Sequence, residues 1–242
     1  TLGQLFCDTS ARQILDMLLA ECAAGQVEIR TGCKVESVRR EAGFEVGTSL
    51  GRFKAQSLVV ATGGLSIPKL GATDLGYRLA RQFGLKVVDP YPALVPLVFG
   101  ERDSQRWNGL AGVSTAVRAS CGGASFDEQL LFTHRGVSGP AILQVSTYWR
   151  KGQALAVDLL PGQLFDPPSH EARKALALAL PQRLAERWLD VEGFGQPVLP
   201  VRKVDAGLHH WTFVPYGTEG FEKAEVTGGG VSRTERTNST SS

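Results

Sequence analysis

Residues 57–76 read SLVVATGGLSIPKLGATDLG, and the fold turns on how this stretch is understood. Leu58-Val59-Val60-Ala61 is apolar without alternation, the pattern of a strand buried on both faces of a parallel sheet. The strand ends on Gly63-Gly64, and Thr73 or Asp74 then caps a helix carrying Leu75, Leu79, Ala80 and Phe83 on one face, stopped by Gly84. Open α/β sheets bind ligands at the carboxyl ends of their strands, where glycine lets a ligand approach the backbone. That makes Ala61, Thr62, Gly63 and Gly64 candidate contacts. A tight turn leaving a buried strand would use the same residues, so the motif alone leaves both readings open.

Upstream, DTSARQILDMLLAECAAG (8–25) predicts a packed helix. Ser10 and Gln13 have capping-box spacing, Ile14, Leu15, Leu18, Leu19 and Cys22 form an apolar stripe, and Gly25 supplies the stop. VEIR (27–30) and KVESVRR (34–40) read as strands, and FEVGT (44–48) with GRFKA (51–55) as a hairpin. Downstream, LKVV (85–88) is another strand. Residues 94–160 hold short strand patterns and one helix candidate, AILQVSTYW (141–149). Residues 169–190 are helical with a break at Pro181. HHWTFVPYG (209–217) returns to strand, AEVTGGGVS (224–232) ends on glycines, and the last ten residues are polar and expected to fray.

A phosphate loop of the form G-x-G-x-x-G is absent from both glycine-rich stretches. Val226-Thr227-Gly228-Gly229-Gly230-Val231 repeats the apolar–Thr–Gly pattern of residues 58–64, which suggests that two glycine ends frame one site. In FTHRGVSGPAILQVS (132–146), Pro140 suits a helix's first turn. His134 and Arg135 would then precede the positive end of that helix, as candidates for holding an anion, a flavin or a polar substrate. Capping alone accounts for the same residues. His209 and His210, adjacent on a strand, would point to opposite faces and are poor metal ligands.

Twenty-six basic against 24 acidic residues leave +2, and no Lys/Arg run exceeds two. Charge therefore gives no signal for nucleic acid. No apolar run reaches the roughly 18 residues of a membrane span, and the N-terminus lacks a signal-peptide pattern. Four cysteines without C-x-x-C spacing read as reduced thiols of a cytoplasmic protein, Cys7 and Cys22 as small core hydrophobes.

FCDTSARQILDMLLAEC, LVVATGGLSIPKLGATDLGYRLARQFGL, ALVPLVF, LAGVS, LLFTHRGVSGPAILQVS and HHWTFVPYGTEGFEKAEVTGGGVS together resemble the bacterial NAD(P)/FAD-dependent oxidoreductases, the aminoacetone-oxidase-like or bile-acid-reductase-like flavoproteins. The resemblance runs from residue 5 to about 232. It implies an α/β fold: a Rossmann-type FAD-binding domain (1–90 and 224–242) interrupted by a β-barrel-like domain (91–165 and 208–223) with a helical insert (166–207). It implies FAD as cofactor, NAD(P)H as electron donor and a small-molecule substrate, with no nucleic-acid or membrane partner. Val35, Ala61, Thr62, Gly63, Gly64, Thr227, Gly228 and Gly229 would contact the flavin, and His134 and Arg135 would stand on the substrate side. It further implies that the first glycine loop lies in a preceding stretch of roughly 100 residues, about one half of a dinucleotide fold. A non-catalytic binding module without its own cofactor is the rival expectation.

Overall fold

The structure, a computed structural model, describes residues 7–232; the tail expected to fray lies outside the described residues. Its contacts divide the chain into two units, Thr1–Val59 and Val60–Ser242.

In the first unit, helix α1 spans Arg12–Ala24. Ser10 stands one position too early to cap it. Its hydroxyl accepts the Arg12 N–H at 3.0 Å, so Ala11 is the N-cap and the expected capping box does not form. The apolar stripe is present but not packed, with Ile14, Leu15, Leu18 and Leu19 between 41% and 52% exposed. Strands β1 (Val35–Arg40), β2 (Phe44–Thr48) and β3 (Gly51–Ala55) form an antiparallel meander, so the hairpin read from sequence is present. VEIR, expected as a strand, is unpaired.

The buried strand expected over 57–64 is also unpaired, and Val59 is 85% exposed. A strand exists through its ladder of inter-strand hydrogen bonds. No described residue offers these positions a neighbouring strand.

In the second unit, helix α2 (Leu75–Gln82) follows a 3-10 turn at Pro68–Leu70. It is N-capped at Asp74, whose carboxylate pairs with Arg78 at 3.0 Å. Strand β4 (Val87–Ala93) carries LKVV onward through DPYPA and pairs antiparallel with the last strand, β12 (Val226–Val231). Between them lie β5 (Leu97–Val98), α3 (Glu101–Arg106), β6 (Ser114–Cys121), β7 (Ala124–Phe132), β8 (Gly136–Ser138), α4 (Pro140–Ser146) and β9 (Leu155–Asp158). Helices α5 (Ala172–Ala179), α6 (Gln182–Val191) and α7 (Val201–His209) and strands β10 (Trp211–Phe213) and β11 (Gly217–Thr218) complete the unit. Seven strands form one antiparallel sheet in the order β10-β9-β6-β7-β8-β5-β11. The sheet is open, with β10 and β11 as edges, so the expected barrel-like closure is not found.

Alternation along β6 buries Val117, Ala119 and Cys121 on one face, against Ile142 and Val145 of α4. Each such aliphatic side chain contributes on the order of 1.5–3 kcal/mol when fully buried. Trp107, Phe132 and Trp211 gather in the same core, the two indoles 4.8 Å apart. Helix α6 adds Leu184, Trp188 and Leu189, and α7 adds Val204 and Leu208. Sequence reading missed α3, which is short and polar, and α7, which carries Gly207 near its end and closes on the histidine assigned to a strand.

Gly207 fits against Trp188: a Cβ there would lie 2.6 and 2.8 Å from ring carbons of an indole only 1% exposed. Alanine gains up to about 1 kcal/mol of helix propensity over glycine, whereas overpacking a filled core costs about 1–3 kcal/mol. Gly207→Ala is therefore expected to destabilise the protein by about 1–2 kcal/mol in denaturant titration. A more stable variant would show that the indole has room to move.

Candidate functional site

The two glycine ends meet through one hydroxyl. Thr227 Oγ1, on β12, accepts the backbone N–H of Leu65 at 2.8 Å and of Ser66 at 3.0 Å, and the Ser66 hydroxyl lies 3.0 Å away. The loop after Gly64 is thereby fastened to the VTGGGV strand. The Ile67 N–H donates to the Phe221 carbonyl at 2.9 Å and adds a second tie.

The glycines at this junction serve different ends. A Cβ on Gly64 would lie 2.5 Å from Thr227 Oγ1 and 3.1 Å from the Tyr77 hydroxyl, so Gly64 is small because the latch occupies its space. The same holds for Gly228, whose Cβ would enter the Tyr91 ring opposite it on β4, and for Gly229, whose Cβ would lie 2.5 Å from the Asp89 carbonyl oxygen. A ligand could meet these three only through their backbone. Gly63 differs: its φ of 71° is left-handed and nothing lies within 4 Å of its missing Cβ. That open backbone face is the kind of cradle a cofactor's bulk would fill. Beside it, Ala61, Thr62 and Gly63 line an apolar cleft of about 260 Å³ with Tyr77, Ala80 and Phe83 of the α2 region. Gly76 admits the Thr62 hydroxyl to this cleft wall, since a Cβ there would sit 2.8 Å from it.

Val35 opens β1 opposite Thr48 in the first unit, half-buried. His134 and Arg135 do not precede a helix directly, because β8 intervenes and α4 is only seven residues long. They line a cavity of about 300 Å³ with Trp107, Asn108, Gly109 and Arg183. Arg135 is 64% exposed and lies 3.8 Å from Glu219. Arg183, which sequence reading did not single out, reaches the cavity from α6 and donates to the Gly109 carbonyl. His209 ends α7 instead of lying on a strand. Its Nδ1 sits 2.7 Å from Asp158 and its Nε2 3.4 Å from Asp205, while His210 Nδ1 lies 2.9 Å from the Ala206 carbonyl. Burial pushes the Cys121 thiol above its ordinary pKa, which suits a core residue and not a nucleophile.

Replacing the latch tests whether it orders the site. Thr227→Val keeps the shape but leaves two partly buried amides without an acceptor, a cost of about 1–3 kcal/mol for each fully desolvated group. Amide exchange at Leu65 and Ser66 is expected to speed up at least tenfold in Thr227→Val and to remain near wild type in Thr227→Ser. Equal protection in all three proteins would rule the latch out.

The model of the HI0933-like protein Rossmann domain matches residues 1–241. The ribosomal RNA dihydrouridine synthase of Haemophilus influenzae is 40% identical over 253 residues, covering 95% of this chain and 62% of its own length. The Escherichia coli K12 protein of the same name is 41% identical over 255 residues, covering 97% and 63%. A more distant relative, the 3-dehydro-bile acid delta(4,6)-reductase of Clostridium scindens, is 28% identical over 252 residues, covering 91% and 61%. The chain spans about three fifths of the length of these curated relatives. It belongs to the HI0933-like Rossmann-domain family.

Proposed function

We propose that this chain is the central part of an FAD-dependent reductase that adds hydrogen across the C5=C6 bond of a uridine in ribosomal RNA, with NAD(P)H as electron donor. The observation that carries the reading is the open backbone at Gly63 beside an apolar cleft, latched to a second glycine strand through Thr227. Likeness over nearly the whole chain to two ribosomal RNA dihydrouridine synthases supports the substrate. The bile-acid reductase supports the reaction type, since a 3-oxo steroid diene and a uracil both present a C=C bond conjugated to a carbonyl.

Bound flavin would supply the hydride for the electron-poor carbon, a proton completing the addition. The protein would bind and orient it. Ala61, Thr62 and Gly63 would hold its body along the cleft, Gly64, Thr227, Gly228 and Gly229 would contribute backbone only, and Val35 would contribute a backbone contact. Residues 1–90 and 224–242 would form part of the FAD-binding domain, its phosphate loop supplied by a segment preceding these residues. Additional strands of that domain would cover Val59 and Val60. Residues 91–165 and 208–223 would form the second domain and 166–207 its helical insert. His134 and Arg135 would act on the substrate side.

The decisive experiment incubates the full-length protein with NAD(P)H and ribosomal RNA lacking the modification. A gain of two hydrogens at one uridine, read by mass spectrometry, is the expected outcome. A flavin-loaded protein that leaves RNA unchanged would refute the substrate, and a protein without flavin would refute the reading. Gly63→Val forces a β-branched residue to positive φ, at about 1–2 kcal/mol of strain, and fills the open face. We expect it to stay soluble and to lose flavin, measured as the flavin-to-protein ratio. Full flavin content would make Gly63 a turn residue only.

A further inference from the structure

A third cavity, of about 420 Å³, opens beside β4, and no site role has been given to the residues that line it. Its walls include Tyr91, Trp149 and Tyr216, with Arg150, Lys151 and Thr218 between them. This volume lies in the range of small-ligand sites. Three aromatic side chains and two cations line it, and no carboxylate does.

Some of these groups are already committed and others are free. The Arg150 guanidinium lies 4.3 Å from the centre of the Tyr91 ring and donates to its hydroxyl at 3.0 Å. Its other contacts, to the carbonyls of Thr147 and Trp149, hold it in place. Trp149 is 6% exposed, its indole N–H donating to the Gln153 carbonyl at 2.8 Å. Tyr216 stands apart: it is 74% exposed, and its hydroxyl has no partner among the described residues. Its backbone N–H donates to the Val98 carbonyl at 2.9 Å, so the ring projects from a fixed point beside β5. The Lys151 ammonium is likewise without a partner among the described residues.

A large aromatic ring open to water on a fixed backbone, in a cavity it shares with an unpaired ammonium and with no lining carboxylate, matches the demands of a nucleotide. The base stacks on the ring, and the phosphate meets the cation. The cavity is also in the right place. Tyr91 lies directly over Gly228, the residue after the latch threonine. We propose that this cavity receives a pyrimidine nucleotide of single-stranded RNA, stacked on Tyr216 and neutralised at one phosphate by Lys151. This inference rests on the RNA reading above and gives that substrate a place on the chain. It also removes the objection from charge balance, because stacking needs few cations.

The test measures binding of a fluorescently labelled single-stranded uridine octamer to the full-length protein, with flavin content and melting temperature as controls. Tyr216→Ala is expected to weaken binding about tenfold or more, and Tyr216→Phe to restore it to within about twofold, because stacking needs the ring and not the hydroxyl. Lys151→Gln is expected to lower the slope of log affinity against log salt by about 0.7, the loss of one phosphate contact on a single strand. Melting temperature should hold, since Tyr216 is exposed. Octamer binding that both variants leave unchanged would place RNA elsewhere, overturning the cavity while sparing the proposed function. If the octamer does not bind and a conjugated 3-oxo steroid is reduced in a Tyr216-dependent way, the cavity belongs to a small-molecule substrate and the RNA assignment falls. A drop in flavin content in either variant would assign the cavity to the cofactor and overturn the inference as well.

Discussion

One hydroxyl oxygen accepting hydrogen bonds from two successive amides, across sequence separations of 162 and 161 residues, ties the candidate site together. Thr227 can make this contact because β12 pairs with β4, which fixes its register opposite Pro92. Gly64 must have no side chain for the threonine to approach. Tyr91, the next residue along β4, covers Gly228 with its ring, replacing the packing a side chain there would give. The pairing, the latch and the glycines therefore depend on one another. A change to any of them would be felt at Gly63, the one glycine of the set that requires positive φ and also has open space beside it.

Stability in the second unit comes from elsewhere. The open antiparallel sheet buries one face against α4 and the helices after residue 171, with Trp107, Trp188 and Trp211 as its largest pieces. The cavities lie where that packing ends: beside Gly63, around His134 and Arg135, and beside Tyr91 and Tyr216. A rigid packed body with polar and aromatic groups at its margins can hold a ligand without strain in its core. This division of labour agrees with relatives named for chemically different substrates, a ribosomal RNA and a bile acid.

The near balance of charge argued against nucleic acid, and the reasoning holds for a protein that grips a duplex through a basic face. It has less force for a protein that holds a single base on aromatic rings, where one or two cations suffice. Composition counts charges; it does not record that Lys151 and Tyr216 share a cavity.

Local pattern determined much of this protein. The hairpin of β2 and β3, the strand patterns of β6 and β7, helix α2 with its start at Thr73 or Asp74, and the two apolar–Thr–Gly ends were all legible, because each depends on residues within one turn or one pleat of each other. The family resemblance was legible for the same reason. Pattern could say which face of α1 is apolar, and which residues of 57–64 form a strand-like run, but not whether a partner covers them. Both are exposed here, since burial and pairing require neighbours that no periodicity specifies. Nor could it tell why each glycine is a glycine. Only the tertiary structure shows Gly64 yielding to a threonine, Gly228 to a tyrosine and Gly207 to an indole, while Gly63 faces open space, because those neighbours arrive from distant parts of the chain. The placing of Arg183 in one cavity with His134 and Arg135, and of Tyr216 in another with Tyr91, was settled at the same level, by packing between elements far apart in sequence.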